Sequence, residues 1–168
     1  MRQVLQNLKS GSVELVEVPA PLSQAGLLLV ASRCSVLSAG TERMVVDFAE
    51  KSLLQKARSR PDLVRQTLEK ARRDGVLATV EAVQNRLGQP MALGYSSAGT
   101  VLEVGMEVAG LQPGDRVACA GGGYATHAEI VAVPKNLVVK LPDTVDFESA
   151  AFTTLGAIAL QGIRLAEV

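Results

Sequence analysis

One histidine, two cysteines and a run of basic side chains are the first groups in this 168-residue chain to weigh as chemistry. His127 is the one side chain whose unperturbed pKa lies near neutrality, so it is a natural proton carrier. It has no acid or thiol at useful spacing, and a lone histidine of that kind more often holds structure than moves protons. Cys34 and Cys119 make no disulfide framework, and with a single histidine they are a poor supply of zinc ligands. In their apolar strand contexts they read as small buried hydrophobes in a reducing compartment. Residues 51–73 hold eight Lys or Arg against Asp62 and Glu69, a net of +6. That run reads either as a solvated helix face, helped by a Glu69/Arg73 pair at i,i+4, or as an anion site for a phosphate-bearing substrate or an acidic neighbour. No aromatic residue interleaves with these cations, which argues against single-stranded nucleic acid. The glycines at 121–123 lack the strand–helix context of a dinucleotide fingerprint. Asp115-Arg116 reads as a turn and an edge ion pair, with no chemistry assigned.

The elements that would carry these groups are legible from period and punctuation. Residues 12–18 alternate polar and apolar with period two, and 7–12 has the turn chemistry for a hairpin with the segment around Val4. Pro19 and Pro21 end the pairing. A buried strand is expected from 27–30 into 33–37. The period then changes. Val45, Phe48, Ala49, Leu53 and Ala57 share a helical face, and Pro61 opens a second helix that Gly75 closes. Val76, Val80, Val83 and Leu87 make a third stripe, so 44–88 reads as a three-helix insert. After Pro90, short strands return between closely spaced glycines, as a small curled sheet or barrel requires. From Asp146, an expected N-cap, one long helix runs on with apolar residues on nearly every face. Such a helix must be buried on several sides, and one barrel offers only one. The fold class is α+β.

Composition narrows the setting. Lys plus Arg and Asp plus Glu both number 17, so no global basic field points to nucleic acid. Hydrophobic residues reach 48% with only five aromatics, so the excess is aliphatic and suggests surface hidden against a partner. The N-terminus has no apolar signal core, and the best apolar run, 150–160, is too short to span a bilayer. A cytoplasmic protein without membrane contact is expected.

Three motifs in order carry a resemblance: Gly94-Tyr95-Ser96-Ser97-Ala98-Gly99-Thr100-Val101 with Gly105, then Pro113-Gly114-Asp115-Arg116-Val117, then Tyr124 through Ala128-Glu129. With Pro134-Lys135-Asn136 and Leu141-Pro142-Asp143, they resemble the N-terminal, GroES-like catalytic domain of the medium-chain alcohol dehydrogenase superfamily, a pinched β-barrel. The resemblance implies a barrel over 1–146 with the insert at 44–88. It further implies a helix over 147–168 leading toward a Rossmann domain after Val168. Zinc-dependent members place a Cys near position 38, a His-Glu pair after the glycine at 94, and a third ligand near Thr154 or Leu155. Here those places read Ser38 and Tyr95-Ser96, and the four-Cys lobe is absent. The Ser-Ala-Gly-Thr-Glu and Gly-Tyr-Ser-Ser stretches look like a zinc-less branch that includes two-part bacterial oxidoreductases.

What the resemblance implies for the site follows. Tyr95 takes the place of a metal ligand, facing the cleft, where a phenol donates a proton as hydride arrives. It reads equally as a tyrosine filling the space left by zinc. Ser38 and Thr41 stand where the family keeps a first ligand and a proton-relay hydroxyl, though beside Gly40 they are also good turn formers. Glu42 pairs with Arg43 or an insert cation, or acts as a base if burial raises its pKa. The expected function is the substrate-side domain of a zinc-independent oxidoreductase using NAD or NADP, silent without its cofactor half and acting on a small molecule. A homo-oligomer is compatible with this. The competing reading is a free-standing GroES-like binding or assembly module whose contact surface is the basic insert.

Overall fold

Alternation and proline punctuation give the first hairpin its bounds. In the computed structural model, which describes residues 1–167 other than 53, 54, 56, 57 and 60, β1 (Arg2–Asn7) and β2 (Val13–Glu17) are antiparallel neighbours. Asn7 closes the turn between them: its side-chain oxygen accepts from the N–H groups of Lys9 and Ser10 at 2.8 and 3.1 Å. With β4 (Pro90–Ala92) these strands form a sheet in the order β2-β1-β4. By compactness the chain divides into two units. Met1–Val4, Leu15–Ser38 and Ala92–Val168 make the first, Leu5–Glu14 and Ala39–Met91 the second.

The first unit is built on a five-stranded sheet. β3 (Leu27–Ser35), β5 (Ser96–Val104), β6 (Arg116–Ala120), β7 (Ile130–Pro134) and β8 (Val138–Lys140) run in the order β7-β3-β5-β6-β8. Each neighbouring pair is antiparallel. The 27–37 segment, expected as one buried strand, ends its ladder at Ser35. Two register shifts between β3 and β5, at Leu29/Val30 and Ser32/Cys34, bend the sheet as bulges do. Gly99 sits inside that bend: a Cβ there would lie 2.1 Å from the Ala31 carbonyl oxygen, so only glycine lets the strands approach so closely. The sheet curls around Leu28, Val30, Val101, Val117 and Val133, all nearly inaccessible to solvent.

Helices make up most of the second unit: α1 (Thr41–Glu50), α2 (Pro61–Asp74) and α3 (Val76–Gly88). The first was expected to run through 57. The described helix ends at Glu50, and positions 53 and 57 lie outside the described residues. Pro61 opens α2, where its missing amide costs nothing. Gly75, at φ 92°, turns the chain into α3. α2 and α3 pack together. Glu69 meets Arg65 one turn earlier at 3.2 Å. The stripe expected to bury α3 instead leaves Val76 and Val80 exposed.

On its outer face the five-stranded sheet carries α4 (Phe147–Ala150), whose Ala150, with Ala151, packs against Ala98, Ala118 and Leu141. Asp146 caps this helix as expected, accepting from the Ser149 N–H at 2.6 Å. The continuous helix expected from 147 is broken, however, at 151–152, and α5 (Thr153–Leu165) starts afresh. Ser96 Oγ donates to the Ala151 carbonyl at 2.5 Å, which ties this interruption to the start of β5, while Ala151 and Phe152 themselves keep right-handed helical backbone angles. None of the described α5 residues is buried. Phe152, Ile158, Ile163 and Leu165 are each more than half exposed, so the all-round burial expected of this helix is not supplied by the unit itself. Among the described residues no helix is long and apolar enough to cross a membrane.

Candidate functional site

The stretch that leads to Ser38 leaves β3 alongside the start of β5, which Tyr95 precedes. β3 pairs with β5 as far as Ser35 opposite Ser97, and the next amide, Val36 N–H, donates to the Ser96 carbonyl at 3.0 Å. Two residues on, the chain reaches Ser38, while Tyr95 directly precedes β5. Both residues are half-buried. The Tyr95 carbonyl accepts from Gly121 N–H at 2.9 Å, so the 121–123 loop joins the same corner.

His127 is buried beside these segments. Its N–H donates to the Leu93 carbonyl at 2.8 Å, its carbonyl accepts from Val4 N–H at 2.9 Å, and Nδ1 lies 2.8 Å from Ser35 Oγ. The neighbouring Glu129 binds the Arg2 Nε at 2.7 Å and its backbone N–H at 2.8 Å, which holds the Glu129 carboxyl below the usual carboxylate range. A cleft of about 280 Å³ opens here, lined by Arg2, Ser32, Ser35 and His127 among others.

A larger cleft, about 490 Å³, lies between α5 and the β6–β8 edge. Ala118, Cys119, Val138, Thr154 and Ile158 are among its mostly apolar walls, and neither Ser38, Tyr95 nor His127 lines it. The Thr154 hydroxyl is buried with no hydrogen-bond partner among the described residues. Sequence reasoning gave Ser96 no role. Its buried hydroxyl donates to the Ala151 carbonyl, and no signal in the sequence singled it out, since β5 also holds Ser97, Thr100 and Glu103.

The positions that the resemblance sets at a metal shell hold Ser38, Tyr95-Ser96 and Thr154 or Leu155, and hydroxyls are weaker zinc donors than thiolate or imidazole. Among the described residues no three His, Cys, Asp or Glu side chains come together to hold a metal. Burial pushes the Cys119 thiol up to about 12, and burial, Glu148 and Asp146 raise that of Cys34. Both cysteines are free, Cys119 buried and Cys34 half-buried.

Thr41 and Glu42 open α1 and belong to the second unit, Thr41 exposed and Glu42 buried, and Arg43 pairs with Asp47. Two of the basic positions, 56 and 60, lie outside the described residues. The Asp115–Arg116 pair is corrected. Asp115 bonds Lys140 at 2.6 Å, while Arg116 stacks 4.6 Å over Phe147 and donates to the Asp143 and Val145 carbonyls. Asp115 lies just before β6 and Arg116 is its first residue, and each side chain finds its own partner.

Comparison with known proteins adds a family likeness. Residues 70–143 match the family model of the alcohol dehydrogenase GroES-like domain. A quinone oxidoreductase of Pseudomonas aeruginosa is 40% identical over 74 residues, 44% of this chain and 23% of the relative. Among solved structures, a quinone oxidoreductase of Coxiella burnetii superposes with a TM-score of 0.68 at 21% identity, covering 100% of this chain and 45% of the other. A mycobacterial protein complexed with NADPH superposes with a TM-score of 0.58 at 22% identity, over 90% of this chain and 37% of the other. The chain thus spans less than half the length of each of these relatives.

Proposed function

We propose, from a chain that belongs to the medium-chain alcohol dehydrogenase superfamily through its GroES-like domain, that this is the substrate-side domain of a zinc-independent, nicotinamide-dependent oxidoreductase. One observation supports the reading above the others. The Val36–Ser96 hydrogen bond runs the segments of Ser38 and Tyr95 side by side, at the places that in zinc-dependent members hold a thiolate and an imidazole. Two hydroxyls there are suited to a substrate oxygen rather than to a metal.

When bound, the nicotinamide supplies or accepts the hydride, and the residues that hold it belong to a nucleotide-binding domain beyond this chain. The chain's own task is to present the substrate. Ser38 orients the substrate oxygen. Tyr95 gives that oxygen its proton as negative charge develops on it, and recovers one from water. The carbon that reacts must sit about 3–3.5 Å from its hydride donor, so a rigid corner between two domains is worth most of the rate. The exposed apolar face of α5 is the surface that the second domain covers. The likenesses to quinone oxidoreductases and to an NADPH complex make a quinone and NADPH the first probes.

The test is steady-state oxidation of NADPH and NADH by a soluble quinone, using the native protein at its full length in the source cell. Turnover is expected to survive exhaustive treatment with 1,10-phenanthroline. Tyr95→Phe is expected to lower kcat by about 100-fold, the lower end for a lost general acid, with the cofactor dissociation constant unchanged. Loss of activity on chelation with recovery on added zinc overturns the zinc-independent reading. A native protein that binds neither cofactor overturns the oxidoreductase reading.

A further inference from the structure

We propose that His127 is a positioning residue, which fixes the Ser38 segment relative to the Tyr95 segment by bonding Ser35 and seating its ring against Gly94. The proposal rests on the reading of Ser38 and Tyr95 as the substrate-facing hydroxyls.

Three elements meet at His127. Its main chain is clamped on both sides, by the Leu93 carbonyl at 2.8 Å and by the Val4 N–H at 2.9 Å, so the residue has little freedom to shift. Its ring then reaches in two directions. Nδ1 lies 2.8 Å from the hydroxyl of Ser35, the last residue of β3 and three positions before Ser38. On the other side is Gly94, immediately before Tyr95. A Cβ at 94 would stand 3.0 Å from both Nδ1 and Cε1 of the ring and 2.8 Å from the His127 nitrogen. The imidazole therefore occupies space that any side chain at 94 would contest. Gly94 also has φ +99°, a conformation other residues resist. One buried ring thus touches the residue before Tyr95 and bonds the end of the strand that delivers Ser38.

An apolar residue would fill this space equally well if packing were all that mattered. Imidazole adds a polar atom, Nδ1, aimed at the Ser35 hydroxyl, and a hydrocarbon cannot reproduce that bond. Removing it should loosen the end of β3 without emptying the core. Small displacements of this kind are expensive in rate, since a shift of about 1 Å in a reacting group costs up to about 100-fold.

The experiment uses the native full-length protein, with His127→Asn, His127→Phe, Ser35→Ala and the Ser35→Ala/His127→Phe double variant. Asparagine carries a polar atom close to the position of Nδ1, phenylalanine keeps the ring without it, and alanine at 35 removes the partner alone. The chain has two tyrosines, so 3-fluorotyrosine labelling in a Tyr124→Phe background leaves a single 19F resonance in these residues, from Tyr95. Ser35→Ala and His127→Phe should each displace that resonance and lower kcat for quinone reduction by about tenfold, with the NADPH KM unchanged. The double variant should be no worse than the poorer single one, and His127→Asn should restore both readouts toward wild type. The proposal is overturned if folded Ser35→Ala protein keeps the wild-type resonance and kcat, or if His127→Asn is no better than His127→Phe. Should His127→Phe fail to fold, Ser35→Ala and His127→Asn still decide the matter. A wild-type protein without turnover would sink the enzymatic reading, while the Tyr95 resonance continues to test the positioning.

Discussion

Asp115 is 8% exposed and accepts from both Lys140 Nζ at 2.6 Å and the Gln112 N–H at 2.9 Å. These bonds hold its carboxyl below the ordinary range, so the folded chain binds this proton less tightly than the unfolded chain. Its contribution to stability is complete above the unfolded value of about 3.9 and drains away as pH falls through the lower folded value. Asp115→Asn should therefore lower Tm at pH 7, and its deficit against wild type should shrink below about pH 4 in calorimetric scans. Glu129 and Asp146 shift in the same direction, through Arg2 and Ser149, and add to acid sensitivity. The cysteines permit a second prediction. With Cys119 2% exposed and its thiol near 12, a disulfide reagent at pH 8 should titrate at most one thiol, Cys34, in the native chain and two in guanidinium. The burial of Cys119 was legible in the sequence, because its neighbours Val117, Ala118 and Ala120 are apolar. It did not show the partner of Asp115, because Lys140 is 25 residues away and only the β6–β8 pairing brings it near.

At the level of elements, α5 is the part of the first unit whose apolar surface exceeds what the unit covers. Ile158 and Ile163 are 64% and 52% exposed. Ile158→Glu and Ile163→Glu should leave the thermal stability of the 168-residue chain within about 0.5 kcal/mol of wild type, as exposed substitutions do. Where a second domain closes over the helix, each should cost about 1.5–3 kcal/mol, the value of a fully buried aliphatic side chain. Paired melts of the 168-residue chain and of the protein as isolated from its source check this. The excess of apolar residues in α5 was plain from sequence, and so was the cap at Asp146. The break at 151–152 was not, since residues 150–160 carry no proline and only one glycine to mark it. A hydroxyl from β5 bonds the carbonyl at that break, and no local pattern announces a bond from a distant strand. The curled sheet was legible for the opposite reason. Its glycines are spaced at the bends themselves, and Gly99 reports the close approach of β3 in its own identity.

For the molecule as a whole, Lys plus Arg balance Asp plus Glu at 17 each, while exposed aliphatic side chains gather on α5. The site was legible only through its motifs. Ser38 and Tyr95 are ordinary residues by composition, and 57 positions of chain, most of them the helical second unit, separate them in sequence. The hydrogen bond between Val36 and Ser96 closes that gap. The Ser96–Ala151 bond reaches as far, over 55 residues, and it has a mechanical meaning. It makes the turn at 151–152 a pivot bolted to the head of β5, one residue from Tyr95. The start of α5 is thereby anchored to the strand that Tyr95 precedes, so the helix and the phenol share one fixed point at the head of β5.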